Sequence, residues 1–433
     1  MKKKIIVLFV VLLGLSWFVS ASTMLKAPRE YNKHLEKAAD LEEREIYIDA
    51  ISEYEAAIEY NPDNYKLYAN IANDYLKIDN SSKYISYMTK AINVGGEDAK
   101  SALDELLKYY KDNNQDQKAL NFIKEYAENH PDYKYAQESY IKLKGSYKQL
   151  YCYYDEMFGM YNDYMVVKSG DMYSMLDAEG SRVLDVKYKE LAPYSIDGYA
   201  MTVNDKGRTI YIDTDGLTRI VLDKKYSKLG MAMNDVIAAS SGGKYGYISY
   251  SGKELTGLKW DGLTAYNSVG AAKQGNKWAL ISKQGKEITE FIFDDVVVDD
   301  NNVACHQSRV FVKSDGKYQM INKKGEVLDD TKYDDAHAFN KDGCAAVCKN
   351  GKWGFVNADG ELVIDYTYEN ARSFSNGYAA VCIDDRWGYI DEEGNLIIPA
   401  TFLDATDFSS AKTAAIHVAL DEEDSEWQLI KLF

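Results

Sequence analysis

A glycine recurs along the last two-thirds of this 433-residue chain at a nearly constant spacing. Gly180, Gly216, Gly252, Gly285, Gly325, Gly360 and Gly394 are 36, 36, 33, 40, 35 and 34 residues apart. Three residues before each stands Asp, Asn or Ser, and four before that an aromatic: Tyr173/Asp177, Tyr245/Ser249, Trp278/Ser282, Tyr318/Asn322, Trp353/Asn357 and Trp387/Asp391. The exception is Thr209, which holds the aromatic place before Asp213. An eighth aromatic, Trp427, opens a half-unit that ends at Phe433. A period of this kind means one supersecondary unit, used many times, whose apolar face is buried only by its neighbours.

Within a repeat the pattern is that of short antiparallel strands. Ala379–Ile383, Trp387–Asp391 and Asn395–Ile398 read as three strands. Asp391-Glu392-Glu393-Gly394 joins the last two as a hairpin turn in which glycine supplies a positive φ. The following segment, Tyr368–Gly377 in the preceding unit, is expected to hold a fourth, short strand. Units of three or four strands at this spacing suit propeller blades or a β-solenoid. The two ends decide between them. Tyr147–Cys152 reads as a third strand without its own first and second, whereas Ala414–Leu420 and Trp427–Leu432 read as a first and second without a third. Sharing one blade between the ends would remove both exposed edges. The expected fold is therefore multidomain, α plus all-β, ending in a closed β-propeller of about eight blades, with an open β-solenoid as the alternative. The Trp-Gly pairs Trp353-Gly354 and Trp387-Gly388, with Tyr245-Gly246 as a variant, make this region resemble the WG-repeat family.

Residues 28–145 have a different rhythm, with apolar residues three and four apart. Counting from Tyr31 places Ala38, Ala50, Tyr54, Ala57 and Pro62 at small, small, aromatic, small and proline positions. A second unit from Tyr65 puts Tyr68, Ile71, Ala72, Tyr75, Met88 and Ala91 in those slots. A third from Lys100 uses Leu107, Tyr110, Ala119, Ile123 and Pro131. Small residues let paired helices approach, and proline ends the second helix. Tyr133–Lys144 reads as a final capping helix. The segment resembles the tetratricopeptide family, which implies an α-solenoid with a concave groove for peptides or partner proteins; a plain spacer is the other reading.

Residues 1–21 read as a signal peptide. Lys2, Lys3 and Lys4 precede an apolar run from Ile5, and Val19-Ser20-Ala21 offers small residues for cleavage. An uncleaved membrane anchor is the alternative. Residues 146–433 form the β-repeat domain, and the whole is expected outside the cytoplasm, secreted or at the cell surface.

A formal net charge of −17, with no basic stripe beyond the first four residues, disfavours nucleic acid and anionic membrane surfaces as partners. Five cysteines form no C-x-x-C pair. Cys348 and Cys382 hold equivalent places in adjacent repeats, an arrangement open to approach of the two thiols. The histidines His34, His130, His306, His337 and His417 have no metal-ligand spacing. Cys305-His306 would point to opposite faces of a strand, which disfavours a direct catalytic pair. The acidic turns are explained by turn formation and are too short to wrap calcium. Among 68 acidic residues no pair stands out for glycoside hydrolysis. The repeat aromatics are read as packing residues rather than a sugar platform.

No catalytic, cofactor-binding or metal-binding residue is therefore singled out, and no cofactor is expected. The expected role is a non-catalytic interaction or scaffold protein that docks an envelope protein or peptide. A cell-wall or glycan-binding protein is the alternative, and a hydrolase using the propeller channel a weaker one.

Overall fold

A computed structural model of the chain describes residues 27–222, 226–341, 343–421 and 424–433. The signal-peptide expectation for residues 1–21 lies outside them. The chain divides into two compact units, residues 1–140 and 141–433.

The first unit is helical. Helices cover residues 27–43 and then Tyr47–Ile58, Tyr65–Lys77, Ser81–Gly95, Lys100–Asp112 and Asp116–Asn129, before Lys134–Lys144. Asn64 and Asn80 each sit just before a helix, and their side-chain oxygens accept from the Lys66 and Lys83 amides, both at 3.2 Å. Ala38, Ala50, Ala57, Ala72, Ala91 and Ala119 are fully buried, the close-approach role that their spacing suggests. Some repeat positions are less buried than their slots suggest: Tyr68, Tyr75 and Leu107 are only half-buried, while Leu103 and Leu106 are buried in the third unit. A 3₁₀ turn at Gly96–Ala99 precedes that helix. Among the described residues no helix is long and apolar enough to cross a membrane.

This unit also buries a carboxyl. Asp74 is 3% exposed, and its Oδ2 has no hydrogen-bond partner among the described residues. Glu42, which accepts from the Tyr54 hydroxyl at 3.0 Å, lies beside it. Burial, and then the Glu42 charge, push Asp74 up to about 7.

The second unit is all-β, and its described residues form eight small antiparallel sheets. The first three contain Glu156–Tyr161, Tyr164–Ser169 and Met172–Leu176; Ala200–Val203, Thr209–Ile212 and Thr218–Val221; and Lys228–Leu229, Val236–Ser241 and Lys244–Ser249. The fourth holds Gly262–Leu263, Gly270–Gln274 and Lys277–Ile281, and the fifth Asp295–Val296, Arg309–Ser314 and Lys317–Asn322. Sheets six and seven have four strands each, beginning with Asp335–Ala336 and Asn370–Ala371. In the eighth, Asp404–Ala405, Thr413–Ala419 and Ser425–Leu432 are joined by Tyr147–Leu150 from the other end of the unit. Tyr147 faces Leu432 and Leu150 faces Leu429 across that pairing.

The recurring residues have local physical reasons. The Asp, Asn or Ser of each repeat is a turn residue. Asp177 Oδ1 accepts from the Glu179 and Ser181 amides, and Asn357 Oδ1 from those of Asp359 and Glu361. The following Gly180 and Gly360 have φ of 84° and 87°. The glycine of Trp-Gly answers to a different constraint. Trp353 pairs with Tyr368 and Phe355 with Ile364, so the partner strand bulges over Gly354. A Cβ there would lie 2.6 Å from Ile364 O. Gly388 meets Ile398 O at the same 2.6 Å.

The core is a series of apolar seams between neighbouring sheets. Ala346, Phe355, Phe374 and Val381 make one between sheets six and seven. Met157, Met165 and Val167 make another with Ala415 and Leu429, joining the first sheet to the eighth.

Replacing Gly354 by Ala is expected to destabilise the β unit by about 1–3 kcal/mol through overpacking, read from denaturant unfolding. The helical unit should respond to pH through Asp74. An acid with a raised folded value keeps a proton that the unfolded chain releases near pH 4. Its stabilising contribution is therefore complete below about pH 4 and is lost as pH rises through about 7. Thermal melts should show that unit more stable at pH 5 than at pH 8, and Asp74→Asn should flatten the difference.

Candidate functional site

Segments from all eight repeats, six of them following a two-residue strand such as Asn370–Ala371, converge. They surround two adjoining cavities, of about 510 Å³ and about 270 Å³, which share Met160, Tyr161 and Asn340. The smaller one takes a lining residue from every repeat: Met160, Ile196, Met233, Asn267, His306, Asn340, Ser375 and Ser410. These positions are 34 to 39 residues apart, the period of the chain itself.

A chain of hydrogen bonds runs along the same line from repeat to repeat. Asn162 Nδ2 donates to Ser195 O at 3.0 Å, and the Asp235 amide donates back to Asp197 Oδ2 at 3.1 Å. Asn234 Nδ2 reaches Tyr266 O and Asn267 Nδ2 reaches Cys305 O. Gln307 Nε2 donates to Gly343 O, Asn340 Nδ2 to Ser373 O, and Asn376 Nδ2 to Phe408 O. The Ser410 amide then donates to Asp163 Oδ1 at 2.7 Å, connecting the eighth repeat to the first. Several of these asparagines also occupy positive φ in tight turns, Asn162 at 49°, Asn234 at 54° and Asn376 at 52°. Asparagine tolerates that region better than other side-chain-bearing residues, and its amide remains free to reach outward.

The larger cavity has two chemically different walls. Phe158, Met160, Tyr161, Val166, Leu191 and Pro193 make one side apolar, while Asp299, Asp300, Asn340, Arg372 and Asp407 supply polar groups. Arg372 Nη2 donates to Asp404 Oδ1 at 3.2 Å, and its guanidinium lies 5.5 Å from the Trp387 ring centre. Asp407 Oδ2 accepts from Asn340 Nδ2 at 3.1 Å. Neither Asp407 Oδ1 nor Arg372 Nε makes a hydrogen bond to the described residues. Burial pushes the Asp407 carboxyl above the usual carboxylate range, although Arg372 opposes this. Asp299 is fully engaged: one oxygen accepts two backbone amides and the other faces His306 Nε2 at 2.9 Å.

Most of the residues weighed from the sequence are placed elsewhere, although Tyr173 lines the larger cavity and His306 the smaller one. The repeat aromatics pack in the seams between sheets, each opposite a cross-strand partner: Trp278 by Lys273, Tyr318 by Lys313, Trp353 by Cys348, Trp387 by Cys382 and Trp427 by His417. His337 stacks on Trp353 at 4.7 Å and His417 on Trp427 at 4.9 Å. Cys348 and Cys382 do not meet. Both are free thiols, each turned to the tryptophan of its own sheet. Cys305 is 1% exposed, and burial pushes its thiol up to about 11, which leaves it unreactive. The turn carboxylates spend their oxygens on backbone amides, as at Asp177 and Asp213.

The sequence reading missed Arg372, Asp300, Asn340 and Asp407. The signal for Arg372 is its departure from the small and apolar residues at equivalent places, such as Ala192, Gly230 and Val297, whereas Asn340 has an asparagine counterpart in Asn267.

The WG containing repeat family matches residues 278–318, 320–353, 353–387 and 387–415, so this stretch carries WG repeats. No curated protein matches the chain. Among solved structures, PorZ, a bacterial surface component of the type-IX secretion system of Porphyromonas gingivalis, is 9% identical with a TM-score of 0.35. That alignment covers 65% of this chain but only 45% of PorZ, so the chain spans less than half of it. Kluyveromyces lactis Hsv2 is 12% identical, with coverage of 64% of this chain and 97% of that one and a TM-score of 0.30. The AfRom2 CNH domain is 9% identical, with 66% and 99% coverage and a TM-score of 0.32.

Asn340→Ala removes donors to Ser373 O, Phe374 O and Asp407 Oδ2. It is expected to lower stability by about 1–3 kcal/mol, because buried acceptors lose their partner. Urea titration checks this.

Proposed function

We propose that this chain is a non-catalytic interaction protein acting outside the cytoplasm, with a tetratricopeptide-like helical array and a closed eight-bladed β-propeller. The observation that carries the reading is the ring of lining residues, one from each of the eight repeats, around one cavity. The sharing of the last sheet by Tyr147–Leu150 and Ser425–Leu432 supports closure. The hydrogen bond from Ser410 to Asp163 supports it again.

A binding role follows from chemistry rather than from likeness. The cavity combines an apolar wall with a few fixed polar groups, the make-up of a ligand site. Asp299 is held by His306 and two backbone amides and Asp407 by Asn340, while Cys305 is sealed in the core. Export rests on Lys2–Lys4, the apolar run after them and the small residues at Val19-Ser20-Ala21. The helical groove would hold an envelope protein or peptide.

A second reading, binding of wall glycan, is favoured by one feature. Tyr151 and Tyr153 are 89% and 84% exposed, next to Arg182 and Lys187 in a depression of about 330 Å³. Exposed rings beside basic groups suit an anionic sugar.

Two measurements test these readings. X-ray scattering of residues 141–433 should give a radius of gyration of about 19 Å for a compact closed ring, and a clearly larger value would mean an open solenoid. Affinity capture from envelope extract with baits 22–145 and 146–433 should retain a defined protein or peptide. Retention of glycan alone by the β bait, abolished by Tyr151→Ala with Tyr153→Ala, would replace the leading reading with the second. Turnover of a substrate by the purified chain would overturn both.

A further inference from the structure

The two walls of the larger cavity specify a charge as well as a shape. Glu190, Asp299, Asp300 and Asp407 line it against the single cation Arg372. Arg372 is already countered by Asp404, so the excess inside is negative. Asp300 is exposed and makes no hydrogen bond to the described residues. Its carboxylate reaches toward the apolar side: a Cβ built on Gly159 would lie 3.7 Å from Asp300 Oδ2. A bare acid therefore stands at the edge of a wall made by Phe158, Tyr161 and Val166. Phe158 is 39% exposed and lies 6.1 Å from the Tyr173 ring, leaving its remaining surface for contact.

A neutral apolar ligand would leave these carboxylates desolvated without a counter-charge, which is costly. An anion would meet like charge. A cation on a greasy body satisfies both walls, because its charge pairs with acids while its hydrocarbon covers the apolar side. We propose that this cavity binds an organic cation carried on an apolar body, either a free arylalkylamine or a lysine side chain of a peptide. The proposal rests on the binding reading above and adds the sign of the ligand to it.

The test titrates the purified protein with phenethylamine, 2-phenylethanol and 3-phenylpropionate by calorimetry. The amine should bind at least about 10-fold more tightly than the alcohol, a difference of about 1.4 kcal/mol, with the anion weakest. Asp300→Asn should weaken amine binding several-fold and leave the alcohol unchanged. The melting temperature should not move, since the side chain has no partner to lose. Phe158→Ser should weaken amine and alcohol equally. Raising the salt concentration should reduce the preference for the amine. A blocked Lys-Phe dipeptide that displaces the amine assigns the cation to a peptide; no displacement assigns it to a free amine. Equal affinity for amine and alcohol overturns the charge assignment and leaves the cavity a binding site. Binding by none of the three probes removes the cavity from the binding reading altogether.

Discussion

Side-chain amides crossing from one repeat to the next hold the β unit in register. Each small sheet has too little area to be stable alone, and its apolar faces are satisfied only by neighbours. Apolar seams supply the attraction, but they are not directional. The donors of Asn162, Asn234, Asn267, Gln307, Asn340 and Asn376, each aimed at a carbonyl of the next repeat, set the offset between sheets. They do so next to the cavities, where a small angular error would change the lining most. The same groups therefore fix both the architecture and the place of the candidate site.

Within each sheet, two backbone constraints explain the repeat signature. The turn residue accepts two amides and the glycine after it takes a positive φ, so their spacing is rigid. The Trp-Gly glycine lies under a bulge in the third strand, where the partner backbone comes too close for any Cβ. Other repeats put Ser174, Ala279 or Gln319 in that place, and their third segments make only isolated bridges, such as Trp278 with Phe293. The full four-stranded sheets are the two that keep Trp-Gly and the one shared by the two ends of the unit.

Much of this was legible in the sequence. The positions of Asp177, Asn357 and Asp391 and their glycines mark every turn because local backbone chemistry determines them. The strand left over at Tyr147 and the one missing after Trp427 point to each other by counting alone. What could not be read lies in the two-residue strands and the segments after them. A pair such as Asn370-Ala371 is too short to show alternation, so the places of Arg372 and Asp407 could not be derived from pattern. The amide ladder spans residues some 35 apart, and no local periodicity records which carbonyl an asparagine will meet. In the helices, Leu106 and Leu107 both fit a three-to-four spacing, and packing against the neighbouring helices buries Leu106.

The shared eighth sheet sets an order of events. Tyr147–Leu150 is made early, yet its hydrogen-bonding partner, Ser425–Leu432, emerges only about 275 residues later. Until then the first strand has an open edge and the seam of Met157 and Met165 lacks Ala415 and Leu429. One segment, Ser425–Leu432, thus completes both the edge of that strand and the seam, so two distant stretches of the chain become ordered by the same pairing.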